Sequence, residues 1–338
     1  MSDFFRNLVD DMKDEDTSIM GDGKGAAEFG GTIDSGSYML NAVLSGSIFG
    51  GIPNNKITAF AGESATGKTF FVLGVAKQFL QDNPDGGIVY YDTEAAVTKQ
   101  MMEERGVDTT RVIISQPDTI QKFRTHAMKT IDMYEKSPDR PPMLFILDSL
   151  GLLSTEKEVA DTTEGKDVRD MTKSQLIKGA FRVLTLKLAK IGVPMIVTNH
   201  VYEVIGSYMP QKEMGGGSGL KYAASTIAYL SKKKVRDGTE ITGIIIKAKM
   251  FKSRLAKENA EAEVLLSYTG GLDRHYGLLE FGEKHGIFKK SGNRYEMGES
   301  KLYGKQILKD PEKYFTEEVL KQIDEACKTE FSYGTTIW

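Results

Sequence analysis

One stretch limits what this chain can fold into more than any other: Lys56 to Leu80, reading KITAFAG, ESATGKT and FFVLGVAKQFL in succession. The first piece is a short apolar run without a strong turn former, which predicts a buried strand. Gly62 to Thr69 fits G-x-x-x-x-G-K-T. Apolar Val72, Val75, Ala76, Phe79 and Leu80 then follow at the spacing of one helix face. Strand, glycine-rich loop and helix occur in the order a phosphate-binding loop requires. Gly62 and Gly67 let the backbone curl so that its N–H groups point inward at phosphate oxygens. The helix N-terminus adds its positive dipole end. Lys68 is placed to reach β- and γ-phosphates and the Thr69 hydroxyl to bind Mg²⁺.

The 338 residues suffice for one large α/β domain with extensions, or for two domains. A formal net charge of −3 makes the whole molecule a poor electrostatic partner for nucleic acid, so any such contact has to be local. The one cysteine, Cys327, excludes an internal disulfide and suits a reducing compartment. No apolar run approaches the roughly 18 residues of a membrane span, and MSDFFRNLVDDMKDED is no signal peptide. The expectation is a soluble cytoplasmic protein.

Along the chain, Ser2–Asp16 reads as an acidic helix with Phe4, Phe5, Leu8, Val9 and Met12 apolar, tied on by a glycine-rich linker, Met20–Gly31. Such a helix docks either on a neighbouring copy or on its own domain. Ser37–Ser45 is a predicted helix ending near Gly46. Beyond the phosphate loop come a strand, Gly87–Glu94, a helix to Gly106, a strand RVIIS, and a long helix capped by Asp118 with Gln121 three residues on. Met143–Leu147 is a strand buried on both faces. A polar loop follows at Ser154–Arg169, then a helix through Leu176, Ile177, Ala180, Phe181, Leu184 and Leu188, stopped by Gly192 and Pro194. PMIVTN is another central strand, and a second polar loop runs from about His200 to Gly219. This alternation predicts a doubly wound, mostly parallel sheet. Two further strands meet at Asp237-Gly238, AEVLLSY is a third, and the end of the chain is mixed, with a final helix starting at Pro311.

Asp148 ends an apolar strand downstream of the phosphate loop, where a Mg²⁺ shell needs a carboxylate. Glu94 ends another strand and could orient or deprotonate a water; Asp92 competes for that role, and either could simply cap a helix. His200 ends PMIVTN, where it could feel a γ-phosphate and pass that state to the following loop, or be structural. Lys232, Lys233, Lys234, Arg236, Lys247, Lys249, Lys252, Arg254 and Lys257 make one segment basic, either as a solvated hairpin or for phosphate contact. Tyr202 and Tyr208 could stack on bases or pack on their own loop.

Together LSGSIFGGIP…GESATGKT, YYDTEAAV, ERGVDTTRVIISQPDT, FILDSLGLL, MIVTNH, MGGGSGLKYAAS, FKSR and GGLDRHYGLLEFGEKHGIFKK resemble the RecA family, and within it the bacteriophage UvsX-type recombinases. The likeness covers nearly everything after about Thr32. It implies a RecA-like P-loop ATPase core at 32–272, an N-terminal oligomerisation helix and linker at 1–31, and a small α+β C-terminal region at 273–338. It implies helical filaments on single-stranded DNA, ATP and Mg²⁺ between neighbouring subunits, and strand exchange with a homologous duplex in recombination-dependent replication and repair. Single-strand-binding and mediator proteins are implied partners, and host cytoplasm the compartment.

By the same resemblance, Glu94 is the catalytic glutamate, and Gly62, Glu63, Ser64, Ala65, Thr66, Gly67, Lys68 and Thr69 cradle ATP. Thr69 and Asp148 hold the metal, and His200 is the γ-phosphate sensor. Lys252 and Arg254 reach across to the neighbour's γ-phosphate, making hydrolysis depend on assembly as an arginine finger does. The loops at about 154–169 and 201–219 bind DNA, with Lys178, Arg182, Tyr208, Lys212, Gly216, Gly217 and Ser218 in contact. Met101 stands where the family often has an aromatic that stacks on adenine. A replicative helicase shares this core but carries a sizeable N-terminal domain. A DNA-coating protein using nucleotide only as an assembly switch would not need Glu94, and a small-molecule kinase would need a lid and acceptor site.

Overall fold

The computed structural model describes residues 3–14, 17–23, 30–166, 170–203, 212–237, 239–297 and 300–333. Helix α1 spans Asp3–Met12, with Phe4, Phe5, Leu8 and Met12 exposed. A two-stranded ribbon (β1, Thr32–Ile33; β2, Ile52–Pro53) flanks helix α2, Tyr38–Ser45. Ser37 sits at its start and left-handed Gly46 at its end.

The main sheet begins with β3, Ile57–Gly62, followed by α3, Lys68–Asp82; β4, Gly87–Asp92; α4, Lys99–Glu104; and β5, Val112–Ser115. Helix α5, Ile120–Lys136, leads to β6, Met143–Asp148, and the short α6, Glu156–Thr163. Then come α7, Lys173–Ile191; β7, Met195–Glu203; β8, Lys212–Met214; and α8, Gly219–Ala223. Strands β9, Thr226–Asp237; β10, Glu240–Lys252; β11, Glu261–Ser267; and β12, Gly271–Leu272, complete it in the order β12-β11-β10-β9-β3-β7-β6-β4-β5, with β8 paired to β7. Pairing is parallel from β9 through β3 to β5 and antiparallel among β9 to β12.

The strands read as continuous apolar runs because successive residues enter different cores. Leu144 and Ile146 join the side that holds α2 and α3, while Phe145 and Leu147 join the side that holds α5 and α7. Ile196 and its neighbours Met195 and Val197 divide in the same way. This is the doubly wound α/β arrangement expected from the alternation. Beyond β12, α9 (Leu278–Lys284), a three-stranded meander (β13, Lys290–Ser291; β14, Arg294–Met297; β15, Ser300–Tyr303), α10 (Gly304–Ile307), α11 (Pro311–Tyr314) and α12 (Glu317–Phe331) follow. Leu278, Phe288, Ile323 and Cys327 share the α2 core, and Asp324 on α12 accepts from Ser47 Oγ (2.6 Å) and the Ile48 N–H (2.9 Å). Among the described residues no helix is long and apolar enough to cross a membrane.

Several boundaries differ from the sequence reading. Thr119, not Asp118, caps α5: its hydroxyl accepts the Lys122 N–H, while Asp118 pairs with Lys122 Nζ at 2.7 Å. The polar stretch at 154–169 contains α6, started by a capping box in which Thr155 and Glu158 exchange hydrogen bonds; 167–169 lie outside the described residues. The stretch after His200 is not all loop, since β7 runs on to Glu203 and pairs with β8. The helix at Pro311 stops at Tyr314 and restarts at Thr316, whose hydroxyl accepts from the Val319 N–H. The Gly87–Glu94 strand ends at Asp92.

Candidate active site

Parallel register brings four strand ends to one edge. Gly62 lies opposite His200, and Asp92 opposite Asp148. The phosphate loop bridges from β3 to α3, with Gly67 at φ 87° and Ala65 at φ 57°. A Cβ on Gly67 would lie 2.8 Å from Ile244 Cδ1, and one on Gly62 2.8 Å from Thr66 Oγ1, so neither position accepts a side chain without rearrangement. Glu63, Ser64 and Ala65 are exposed, and buried Thr66 hydrogen-bonds back to the Glu63 carbonyl at 2.9 Å. Lys68 is 6% exposed; its ammonium donates to the carbonyls of Gly62 (3.0 Å) and Glu63 (2.9 Å). Burial lowers its pKa, opposed by the charges of Glu94 and Asp148 and assisted by Lys232. Lys232 itself reaches the Ala65 carbonyl. The Thr69 side chain makes no hydrogen bond among the described residues.

Asp148 is buried and accepts from Tyr90 Oη at 2.8 Å and from the Thr198 hydroxyl. Burial and the Asp148 charge push the Tyr90 hydroxyl pKa well up, so it stays a donor.

The two competing carboxylates separate clearly. Buried Asp92 accepts the backbone N–H groups of Glu94 (3.2 Å), Ala96 (3.3 Å) and Val97 (3.2 Å) and shapes the turn. Glu94 keeps 27% of its side chain exposed, and its Oε1 accepts from Ser149 Oγ (2.8 Å) and pairs with His200 Nε2 (3.1 Å). The other nitrogen of His200, Nδ1, is 3.4 Å from Lys68 Nζ. An ammonium can only donate, so Nδ1 accepts and Nε2–H donates to Glu94. His200 thus joins the loop lysine to the glutamate.

His200 is tied to the following segment. Asn199 Oδ1 accepts the His200 N–H (2.9 Å) and its Nδ2 donates to the Gly215 carbonyl (2.9 Å). Gly215 N–H returns to the His200 carbonyl at 3.0 Å. Gly216 (φ 81°) and Gly217 (φ 76°) then turn against α7, where a Cβ would come within 2.9 Å of Ile177 and 2.7 Å of Ser174 respectively. Gly217 and Ser218 are exposed, as are Lys178 and Arg182 on α7, and Lys178 Nζ lies 5.7 Å from the Tyr222 ring centroid. Tyr208 lies outside the described residues, and Lys212 is described only as backbone in β8. Tyr202 is exposed.

Lys252 and Arg254 are not brought to the phosphate loop. Lys252 pairs with Ile227, which pairs with Ala59, three residues before Gly62. At about 3.3 Å per residue that is roughly 10 Å back along the sheet. Its ammonium caps the C-terminal carbonyls of Lys221 (2.7 Å) and Ala224 (2.7 Å), and Arg254 is exposed. Elsewhere the basic hairpin is partly neutralised, with Lys247 2.5 Å and Lys249 3.5 Å from Glu261. Met101 sits half-buried in α4 against the α3-side core. Thr93, Ser149, Thr198 and Asn199 also belong to this edge, and sequence reasoning assigns none of them a role there; Lys232, read from the sequence only as one of a basic run, belongs to it too. Ser149 and Asn199 directly adjoin Asp148 and His200, which is the signal that could have found them.

A phosphate loop at the centre of a doubly wound sheet, with carboxylates and a histidine on neighbouring strand ends, defines a P-loop ATPase. Residues 10–273 match the RecA N-terminal domain. The recombination and repair protein of Enterobacteria phage T4 is 28% identical over 300 residues, 89% of this chain and 72% of its own. Protein RecA of Frankia casuarinae is 30% identical over 290 residues, 82% of this chain and 79% of its own, and that of Streptomyces rimosus is 29% identical over 289, 82% and 72%. The chain belongs to the RecA family and is a recombination ATPase of homologous recombination and repair.

Proposed function

We propose that this chain polymerises on single-stranded DNA with ATP and Mg²⁺ held between successive subunits, pairs that strand with a homologous duplex, and hydrolyses ATP to turn the filament over. The observation that carries the reading is the unbroken link from Lys68 through His200 and Asn199 to Gly215. It gives the nucleotide end of the sheet a direct hold on the segment facing α7. The loop fits a triphosphate because its two glycines keep the cradle clear of side chains and its N–H groups head α3. When bound, Mg²⁺ neutralises charge on the β- and γ-oxygens; the Thr69 hydroxyl and the Asp148 carboxylate are the groups that would hold it.

In this reading Lys68 exchanges its loop carbonyls for phosphate oxygens. That withdraws the donor from His200 Nδ1 and changes the hold on Asn199 and Gly215. Glu94 takes a proton from water. Lys252 and Arg254, at the far end of their own sheet, serve the neighbour's nucleotide. Lys178, Arg182 and the N–H groups of Gly216, Gly217 and Ser218 contact DNA phosphates, as do Tyr208 and Lys212 of the preceding stretch of chain. Met101 borders the base, and α1 docks its exposed Phe4, Phe5, Leu8 and Met12 on the adjacent subunit. The protein works in the host cytoplasm beside single-strand-binding and mediator proteins.

The test is ATPase rate against single-stranded DNA concentration, with light scattering on the same samples. Stimulation that rises together with long, growing assemblies is expected. Stimulation at a fixed small assembly size overturns the filament reading. Separately, Lys178→Ala and Arg182→Ala should each weaken binding across DNA sequences and reduce the salt slope of the affinity by about one. Unchanged slopes in titrations at several salt concentrations would remove both from the phosphate track.

A further inference from the structure

Glu94 stands two residues beyond the end of β4, on a turn rather than in the sheet, so strand pairing does not fix its carboxylate. The fixing comes from the next strand end. Ser149 is fully buried, and its N–H donates to Thr93 Oγ1 at 2.9 Å, while the Thr93 hydroxyl donates to the Ser149 carbonyl at 2.7 Å. The Thr93 N–H adds a third bond, to the Asp148 carbonyl at 2.9 Å. These contacts need only the backbone of Ser149, and they clamp the two turns together. The Ser149 hydroxyl plays no part in the clamp and donates instead to Glu94 Oε1 at 2.8 Å.

The position of that bond matters. Ser149 Oγ and His200 Nε2 both meet Oε1, and no donor among the described residues meets Oε2. The carboxylate is therefore held by one oxygen with the other presented. His200 also contacts Lys68, so its grip is subject to whatever Lys68 binds. The Ser149 hydroxyl has no such second contact among the described residues, and it sits on the same turn as Asp148.

We infer that Ser149 is a positioning residue that holds Glu94 Oε1 so that Oε2 faces the attacking water, independently of the state of His200. This rests on the reading of Glu94 as the proton acceptor. Backbone clamp and hydroxyl act separately: the first joins the turns, the second aims the carboxylate. Misaiming a base by a fraction of an ångström costs rate without costing substrate affinity.

The experiment is a double-mutant cycle on Glu94→Gln and Ser149→Ala, read as DNA-stimulated kcat, affinity for a fluorescent ATP analogue, and thermal midpoint. Ser149→Ala alone should lower kcat about tenfold with nucleotide affinity and midpoint unchanged. Placed on Glu94→Gln it should lower kcat no further, because the group it aims is already disabled. An equal loss in both backgrounds, or a loss tracking a fall in midpoint, makes Ser149 merely structural and overturns the inference. Full activity of Ser149→Ala beside an inactive Glu94→Gln also overturns it. An active Glu94→Gln instead removes the underlying reading of Glu94. Should the alanine variant not fold, the isosteric Ser149→Cys, a weaker donor, gives the same comparison.

Discussion

Glu94→Gln should bind ATP and assemble on single-stranded DNA like the parent while its turnover falls by about a thousandfold, within the range a general base contributes. The substitution keeps the shape of the side chain and an oxygen able to accept from Ser149 and His200, so the local packing persists. On the reading proposed above it removes only the capacity to take a proton, and nucleotide affinity, assigned there to the loop at Gly62–Thr69, stays as in the parent. Asp92→Asn is the informative contrast. Asp92 organises three backbone N–H groups, so its loss should lower thermal stability along with activity instead of activity alone. Steady-state ATPase, analogue titration and negative-stain micrographs on the same preparations decide it. Unchanged turnover in Glu94→Gln would mean that another group activates water.

Arg254→Ala should depress DNA-stimulated hydrolysis by about a thousandfold, as loss of a charge supplied in trans does, while the isolated subunit binds nucleotide normally. The reason is geometric. Arg254 follows the end of β10, which is antiparallel to β9 and therefore finishes at the sheet edge opposite the phosphate loop. An exposed guanidinium there lies away from its own phosphate loop, and on the reading proposed above it serves the next subunit. Mixing gives a sharper test. Lys68→Ala subunits have a disabled loop and an intact Arg254; Arg254→Ala subunits have the converse. Mixed assemblies should recover a fraction of the parental rate that neither variant shows alone. No recovery, or loss of nucleotide binding by the Arg254→Ala monomer, would place Arg254 in cis.

Much of this architecture is legible in the chain itself. The phosphate loop, its strand and its helix follow from glycine spacing and apolar periodicity, and the parallel sheet from strands with near-continuous apolar runs. What escapes such reading depends on partners distant in sequence. Asp92 and Glu94 look alike in YYDTE, and only the direction of nearby N–H groups separates them. Asp118 and Thr119 are both good caps; Thr119 wins because it is buried beside Ser154, while Asp118 faces solvent and Lys122. The helix at 156–163 is signalled by Thr155-x-x-Glu158 but obscured by the polarity of everything around it. The continuation of β7 past His200 is signalled too, in the inward Val201 and outward Tyr202.

Because β7 is a single extended segment from Met195 to Glu203, the ångström-scale placement of His200 is inherited by everything built on its far end. Val201 faces Met214 and closes the root of the hairpin next to Asn199. On the reading proposed above, nucleotide timing would belong to this root, and substitutions between Glu203 and Lys212 would alter the grip on a polymer without resetting it.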